Sequence, residues 1–181
     1  MVLPLFRGIL RASLIAVAIA VAIVVAIVVL PHVATSQESG IAVGARAPGA
    51  KVQTLDGKAA DLGAYVGKTP MLIEFWAFWC PNCKELEPSL LSLQKKYRSR
   101  VKFVGVAVSV NQSRERVKAY AAKHGYAHET FWDANGNATE AYDVPATSYV
   151  VIVNARGTVV YTGLGGKQDL EAALRKALQG D

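Results

Sequence analysis

The two cysteines of this chain lie three positions apart, in the segment Trp79-Cys80-Pro81-Asn82-Cys83. An apolar run at residues 71–76 precedes them and a helix-like stretch follows, so a strand delivers both thiols to the first turn of a helix. Unpaired backbone N–H groups and the positive end of the helix dipole favour a thiolate at Cys80, near the N-cap. Cys83 lies one turn later on the same face, within reach of a disulfide. The spacing therefore predicts a redox pair in which Cys80 attacks a substrate disulfide and Cys83 releases the mixed disulfide.

Other uses of a Cys-x-x-Cys pair fit this sequence less well. A c-type haem attachment site needs a histidine after the second cysteine, where Lys84 stands. A zinc site would take its further ligands from distant carboxylates or from His32, His124 and His128. A purely structural disulfide would close a loop too short to restrict the unfolded chain strongly. Thiol–disulfide chemistry is the favoured prediction, with the structural disulfide and the metal site left open as alternatives.

The stretch from Ile73 to Lys84, Ile-Glu-Phe-Trp-Ala-Phe-Trp-Cys-Pro-Asn-Cys-Lys, resembles the active-site strand, loop and helix of the thioredoxin superfamily. Pro88 stands five positions after the second cysteine, where that family kinks its active-site helix. The resemblance runs from about Ala47 to the C-terminus and is greatest to the membrane-anchored TlpA/ResA-type thiol-disulfide oxidoreductases. It implies an α/β fold, in which a central mixed sheet is flanked by helices and carries the helix–strand insertion of that group.

Glu74 is a carboxylic acid inside the otherwise apolar run 71–76. Burial of a carboxylate in such a strand is costly unless the group stays protonated or finds partners. Glu74 matches the buried acid of thioredoxin-like proteins, which lies beneath the second cysteine, and this match implies general acid/base service to Cys83. A solvent-facing glutamate on an edge strand is the alternative. The candidate catalytic residues are therefore Cys80, Cys83 and Glu74.

The loop opposite the cysteines departs from the family pattern. Counting without gaps from Tyr142 and from Gly157 places Ser148 at the position of the family's cis-proline, and only a gapped alignment would give that role to Pro145. A cis peptide before a non-proline residue costs about 2.5 to 4 kcal/mol, so a trans or strained bond is expected before Ser148. The resemblance implies that this loop docks extended substrate backbone. The predicted substrate-binding residues are Trp79, Pro81, Thr147 and Ser148.

The hydrophobic periodicity predicts alternating strands and helices behind these motifs. The predicted elements are a hairpin starting at 51–54 with a turn at Asp56-Gly57, a strand at 71–77, a helix at 81–97, a strand at 101–108, a helix at 113–124 ended by Gly125, a strand near Thr130, a helical turn at 138–142, a hairpin of 149–153 and 158–162, and a terminal helix at 167–178. The helix at 113–124 and the strand after it resemble the insertion of the TlpA/ResA group.

The N-terminal part of the chain is predicted to be a membrane segment. Residues 12–31 are apolar and uncharged, long enough to cross a bilayer, whose hydrocarbon core requires about 20 residues. Arg7 and Arg11 precede them, so residues 1–11 are expected in the cytoplasm and the rest of the chain outside it. A retained anchor is favoured over a cleaved signal, because the apolar region is long and residues 33–36 are only a passable cleavage site. Residues 32–47 are predicted to be a flexible linker and 48–181 the thioredoxin-like domain.

Charge and composition argue against nucleic-acid binding. The net charge of +6 is spread over the helices, without a basic cluster that has interleaved aromatic residues, so nucleic-acid binding is not expected. No cofactor or resident metal is predicted.

The resemblance implies a reductase on the outer side of a bacterial cytoplasmic membrane. Its expected substrates are cysteine pairs of exported proteins, including apocytochromes that await haem, and its expected electron donor is a membrane thiol carrier. A copper chaperone that uses Cys80 and Cys83 as soft ligands is the alternative. An inactive interaction module is a third possibility, disfavoured because the cysteines and the acid are all present.

Overall fold

The computed structural model describes residues 39–179, which form seven strands, four α-helices and one 3-10 turn. The strands are β1 (Lys51–Thr54), β2 (Ala59–Asp61), β3 (Met71–Trp76), β4 (Lys102–Val108), β5 (Glu129–Asp133), β6 (Tyr149–Val153) and β7 (Val159–Leu164). The helices are α1 (Pro81–Tyr97), α2 (Arg114–Lys123), α3 (Asn137–Ala141) and α4 (Leu170–Gln179), and the 3-10 turn is Leu62–Ala64.

The strands form one mixed sheet in the order β2-β1-β5-β4-β3-β6-β7. The three middle strands β5, β4 and β3 are parallel, and the remaining neighbours pair antiparallel. Parallel strands need crossover connections, which α1 and α2 provide. The predicted mixed α/β sheet with flanking helices is confirmed.

Strand β3 lies inside the sheet, between β4 and β6. Its side chains alternate between the two faces of the sheet, as the pleat requires. One face carries Met71, Ile73 and Phe75, which join the core on the side of β1 and α3; the other carries Leu72, Glu74 and Trp76. Helix α1 covers the second face, so Glu74 lies beneath the helix that carries both cysteines.

Helix α1 has the predicted bounds. Cys80 is its N-cap and Pro81 occupies its first turn, where a missing N–H costs nothing because that group has no partner within the helix. Leu86, Leu90 and Leu93 point into the core at helical spacing, as predicted. Pro88 lies within the helix on its exposed side.

Helix α2 and strand β5 occupy the segment that was predicted to be a helix–strand insertion. Ser113 caps α2 by accepting the backbone N–H of Arg116 through its hydroxyl oxygen, and Gly125 follows the helix with a positive φ of 69°. The terminal helix α4 begins at Leu170 rather than at residue 167. Asp169 explains the difference, because its carboxylate accepts the backbone N–H of Ala172 and starts the helix there.

The linker prediction is wrong for its last part. The backbone N–H of Ile41 bonds to Tyr142 O (3.0 Å), that of Gly44 to Val159 O (2.8 Å) and that of Ala47 to Gly157 O (2.9 Å). Ala47 is buried in the core. The bonding partners stand far along the chain, where a local reading of composition does not find them, so the domain begins near Ile41 rather than at residue 48.

The predicted anchor at 12–31 lies outside the described residues. Between residues 39 and 179, no helix has the length and apolar character needed to cross a membrane.

Candidate active site

Both cysteines lie where β3 passes into α1. The backbone N–H of Cys83 donates a hydrogen bond to Cys80 Sγ at 3.2 Å, so this sulfur caps the helix. Both cysteines are in the free thiol form. A sulfur that accepts a backbone N–H at the positive end of a helix is held where an anion is favoured. The structure thus brings Cys80 and Cys83 together as the sequence predicts.

Neither cysteine is open to solvent, since each exposes 3% of its surface. They pack with Trp76, Ala107 and Val117. The pKa of the Cys83 thiol is raised, first by burial, then by the hydrogen bond with Cys80 and by the negative charge of Glu74. Cys83 therefore stays protonated until a base takes its proton, which is the state expected of the resolving thiol.

Glu74 is buried, with 3% of its surface exposed, on a strand that has neighbours on both sides. This excludes the alternative of an exposed glutamate on an edge strand. Its Oε1 atom has no hydrogen-bond partner within the described residues. Burial raises the pKa of Glu74 to about 8, with a smaller contribution from the negative charge of Glu87. The carboxyl group can therefore both give and accept a proton near neutral pH.

Glu87 is a residue that sequence reasoning missed. It follows Cys83 by one helical turn and its carboxylate accepts three hydrogen bonds, from Tyr126 OH (2.9 Å), Tyr120 OH (3.2 Å) and His124 Nδ1 (2.8 Å). The sequence does carry one signal, since a residue four positions after Cys83 lies on the same face of a helix as Cys83. Its three donors come from α2 and the loop after it, and no local pattern predicts that contact.

The two tryptophans have different environments. Trp76 is buried, and its ring packs against Tyr120 and Tyr126 with centroid separations of 5.8 and 5.1 Å. Trp79 is 39% exposed beside the cysteines, and its indole N–H donates to Val110 O at 2.9 Å. Trp76 is thus a core residue, and Trp79 presents an oriented aromatic surface to solvent.

A second residue that sequence reasoning missed is Gln112, in the loop after β4. Its side-chain oxygen accepts the backbone N–H of Phe78 at 3.1 Å, and its amide group donates to Val108 O. Gln112 therefore ties the segment that precedes Cys80 to the end of the neighbouring strand.

Ser148 lies beside the end of β3, with its backbone N–H bonded to Phe75 O at 2.8 Å. No peptide bond among residues 39–179 is cis, and Ser148 instead adopts a positive φ of 68°. That conformation costs an L-residue about 1 to 2 kcal/mol. Hydrogen bonds hold it, since Ser148 Oγ donates to Gly165 O at 2.9 Å and Gln168 Nε2 donates to Ser148 O at 3.1 Å.

An open groove of about 740 Å³ borders Trp79, the residue directly before Cys80. Trp79 and Thr147 line it together with Val110 and Val144, and Glu140 and Asp143 add two acidic groups. Of the other predicted substrate-binding residues, Pro81 is exposed on the first turn of α1 and Ser148 is buried behind Thr147. The structure thus brings Trp79 and Thr147 to one surface, which does not include Ser148.

Among residues 39–179, no three side chains of His, Cys, Asp or Glu are grouped as metal ligands would be.

The fold and the cysteine pair define a thioredoxin-like thiol–disulfide oxidoreductase. The model of the Redoxin family matches residues 42–178, and the chain belongs to that family. The thioredoxin-like protein YneN of Bacillus subtilis is 29% identical over 143 residues, which cover 77% of this chain and 83% of YneN. The thiol-disulfide oxidoreductase ResA of Bacillus subtilis is 28% identical over 120 residues, 66% of each chain. The predicted superfamily and enzyme class are confirmed.

A solved structure supports the same assignment. The thiol:disulfide interchange protein of the thioredoxin family from Chlorobium tepidum is 27% identical, with a TM-score of 0.65, and the match covers 76% of this chain and 98% of that protein.

Replacement of Glu74 by Gln tests whether a titrating carboxyl group is buried here. The pKa of Glu74 is about 8 in the folded protein against 4.5 for an ordinary glutamate, so the unfolded chain ionises first as the pH rises. The protonated carboxyl group makes its full contribution to the free energy of unfolding below pH 4.5. As the pH rises to about 8, this contribution of a few kcal/mol is lost. The free energy of unfolding in urea should therefore fall less over this window for Glu74→Gln than for the wild type. Glu85→Gln, on the exposed side of α1, should keep the wild-type slope, and equal slopes for the wild type and Glu74→Gln would contradict the prediction.

Proposed function

We propose that the protein is a membrane-tethered reductase of disulfides in exported polypeptides. The observation that carries this proposal is the arrangement of three groups at the start of α1. Cys80 Sγ caps the helix, Cys83 is held as a thiol behind it, and Glu74 lies beneath Cys83 with a pKa of about 8.

The three groups support a two-step exchange. Cys80 Sγ attacks one sulfur of a substrate disulfide, a mixed disulfide forms, and the other substrate sulfur leaves as a thiolate that takes a proton from water. Cys83 then loses its proton to ionised Glu74, and its sulfur attacks Cys80 Sγ. The Cys80–Cys83 disulfide forms and the second substrate thiolate leaves. The substrate gains two electrons and the enzyme dithiol is oxidised.

The groove beside Trp79 supports an extended polypeptide as substrate. Trp79 and Thr147 line it, so a chain that passes between them would bring its disulfide to Cys80. Because both thiols are nearly covered, a docked substrate must be aligned before the sulfurs meet. By their resemblance to the TlpA/ResA group, the substrates would include apocytochromes that await haem, and a membrane thiol carrier would reduce the enzyme again.

The direction of electron flow is tested by equilibrating the protein with glutathione buffers. A reductase should have a potential nearer the roughly −270 mV of thioredoxin than the roughly −120 mV of DsbA. In turnover with a disulfide-bonded peptide, Cys83→Ser should stop at the mixed disulfide and Cys80→Ser should form none.

Two results would overturn this proposal. A potential near that of DsbA would make the protein an oxidant. Tight copper binding by Cys80 and Cys83 without any thiol exchange would instead support the copper chaperone predicted as the alternative.

The membrane tether is the part of the proposal that rests on sequence alone. Residues 12–31 are uncharged and almost entirely apolar, and Arg7 and Arg11 precede them. In bacterial cells the full chain should sediment with membranes through alkaline carbonate washing, and protease added to spheroplasts should digest the domain. A chain that starts at residue 39 and is directed to the same compartment should be released by osmotic shock. Recovery of the full chain in the soluble fraction would contradict the tether.

A further inference from the structure

Glu87 carries a negative charge that its surroundings hold in one place. Its side chain is 15% exposed and lies between α1 and α2. The two carboxylate oxygens accept hydrogen bonds from Tyr120, His124 and Tyr126 at 2.8 to 3.2 Å. An ionised carboxylate only accepts hydrogen bonds, and three converging donors satisfy most of its capacity. No step of the thiol exchange described above uses this group.

The cluster around Glu87 borders the space that Glu74 occupies. Glu74 lies on β3 between Leu72, which packs with α1, and Trp76, which packs with the cysteines. Tyr126 donates to Glu87 and also packs its ring against Trp76 at 5.1 Å. Glu74 lines a small cavity with Leu90, which stands three positions after Glu87 on α1, so Glu74 packs against the part of the helix that carries Glu87.

We propose that Glu87 is a positioning residue whose fixed charge sets the pH at which Glu74 exchanges its proton with Cys83. The proposal rests on the proposed function, since it concerns the step in which Cys83 releases the substrate. Like charges at short range disfavour the ionisation of each other, so Glu87 keeps the proton on Glu74 to a higher pH than burial alone would. A carboxyl group with greater proton affinity is the stronger base toward the Cys83 thiol.

The other titratable groups that face Glu74 are neutral in the working range. Burial raises the pKa of Tyr120 to about 12 and raises that of Tyr126 further, so both stay protonated. Burial lowers the pKa of His128, which shares a small cavity with Glu74, to about 4. The neighbouring strands β4 and β6 pair Gly105 and Val150 with Glu74, and neither residue is charged. After burial, Glu87 is the charged side chain that raises the pKa of Glu74, and His124 offsets the charge of Glu87 only when its ring is protonated.

Glu87→Gln in the full-length protein removes this charge and keeps the shape of the side chain. We expect the midpoint of the Glu74 carboxyl titration, followed by 13C NMR of labelled glutamate, to move down by about one pH unit. The pH midpoint of the rate of the release step should move by the same amount in stopped-flow measurements with a small disulfide. Glu85→Gln is the matched control, since it removes the same charge from the same helix at a side chain that is 45% exposed and should leave both midpoints in place.

Two further variants keep the test decisive. In the Glu74→Gln background, Glu87→Gln should cause no further shift in the pH profile, because Glu87 acts through Glu74. Glu87→Asp retains the charge and should keep the midpoint nearer to the wild-type value than Glu87→Gln does, which separates a charge effect from a loss of packing.

The NMR titration separates this inference from the proposed function. An unchanged Glu74 midpoint in Glu87→Gln would overturn the role of Glu87 even if the enzyme is an active reductase. If Glu87→Gln still shifted the pH profile of the release step in the Glu74→Gln background, that result would overturn the role of Glu87 as well. If Glu87→Gln shifted the Glu74 midpoint but the protein reduced no disulfide, the electrostatic coupling between the two acids would stand. Only the proposed function would then be overturned.

Discussion

The burial of one carboxyl group beneath a pair of thiols is the constraint on which the chemistry of this protein depends. Glu74 lies on a central strand under α1, and its Oε1 atom has no hydrogen-bond partner among the described residues. A carboxylate in such a place is costly, so the group keeps its proton to a pH of about 8. The same burial raises the affinity of Glu74 for a proton, and this makes its carboxylate a useful base for Cys83.

The junction of β3 and α1 makes this arrangement possible. The strand ends at Trp76, a short loop turns at Phe78 and Trp79, and the helix begins with Cys80 as its cap. Strand β3 therefore places Glu74 and helix α1 places both sulfurs, and only a short loop separates the two elements. Gln112 and Ser148 then fix the loop and the end of the strand from the two sides. These hydrogen bonds tie the loop before Cys80 to the end of β4, and the end of β3 to the residue before β6.

Local signals were sufficient to predict much of this site from the sequence. The spacing of Cys80 and Cys83, the apolar run before them and the leucines after them predicted the strand, the helix and its cap. Glu74 could be singled out because one acid in a buried strand is rare. The bounds of α1 followed from the same periodicity.

Long-range contacts account for what the sequence did not predict. The partners of Glu87 stand 33 to 39 positions later in the chain, so nothing next to Glu87 indicates a buried charge. The positive φ of Ser148 depends on bonds to Phe75, Gly165 and Gln168, which meet only in the folded sheet. The segment at 41–47 ends the predicted linker, and its backbone bonds to Tyr142, Gly157 and Val159, which stand far along the chain.

The most direct test of the central claim is the infrared difference spectrum between the dithiol and disulfide forms at neutral pH. A buried carboxyl group that carries a proton and responds to Cys83 should give a protonated-carboxyl band that shifts when the disulfide forms. The same band should be absent from Glu74→Gln. A spectrum without a protonated carboxyl group, or one whose band persists after that substitution, would contradict the account.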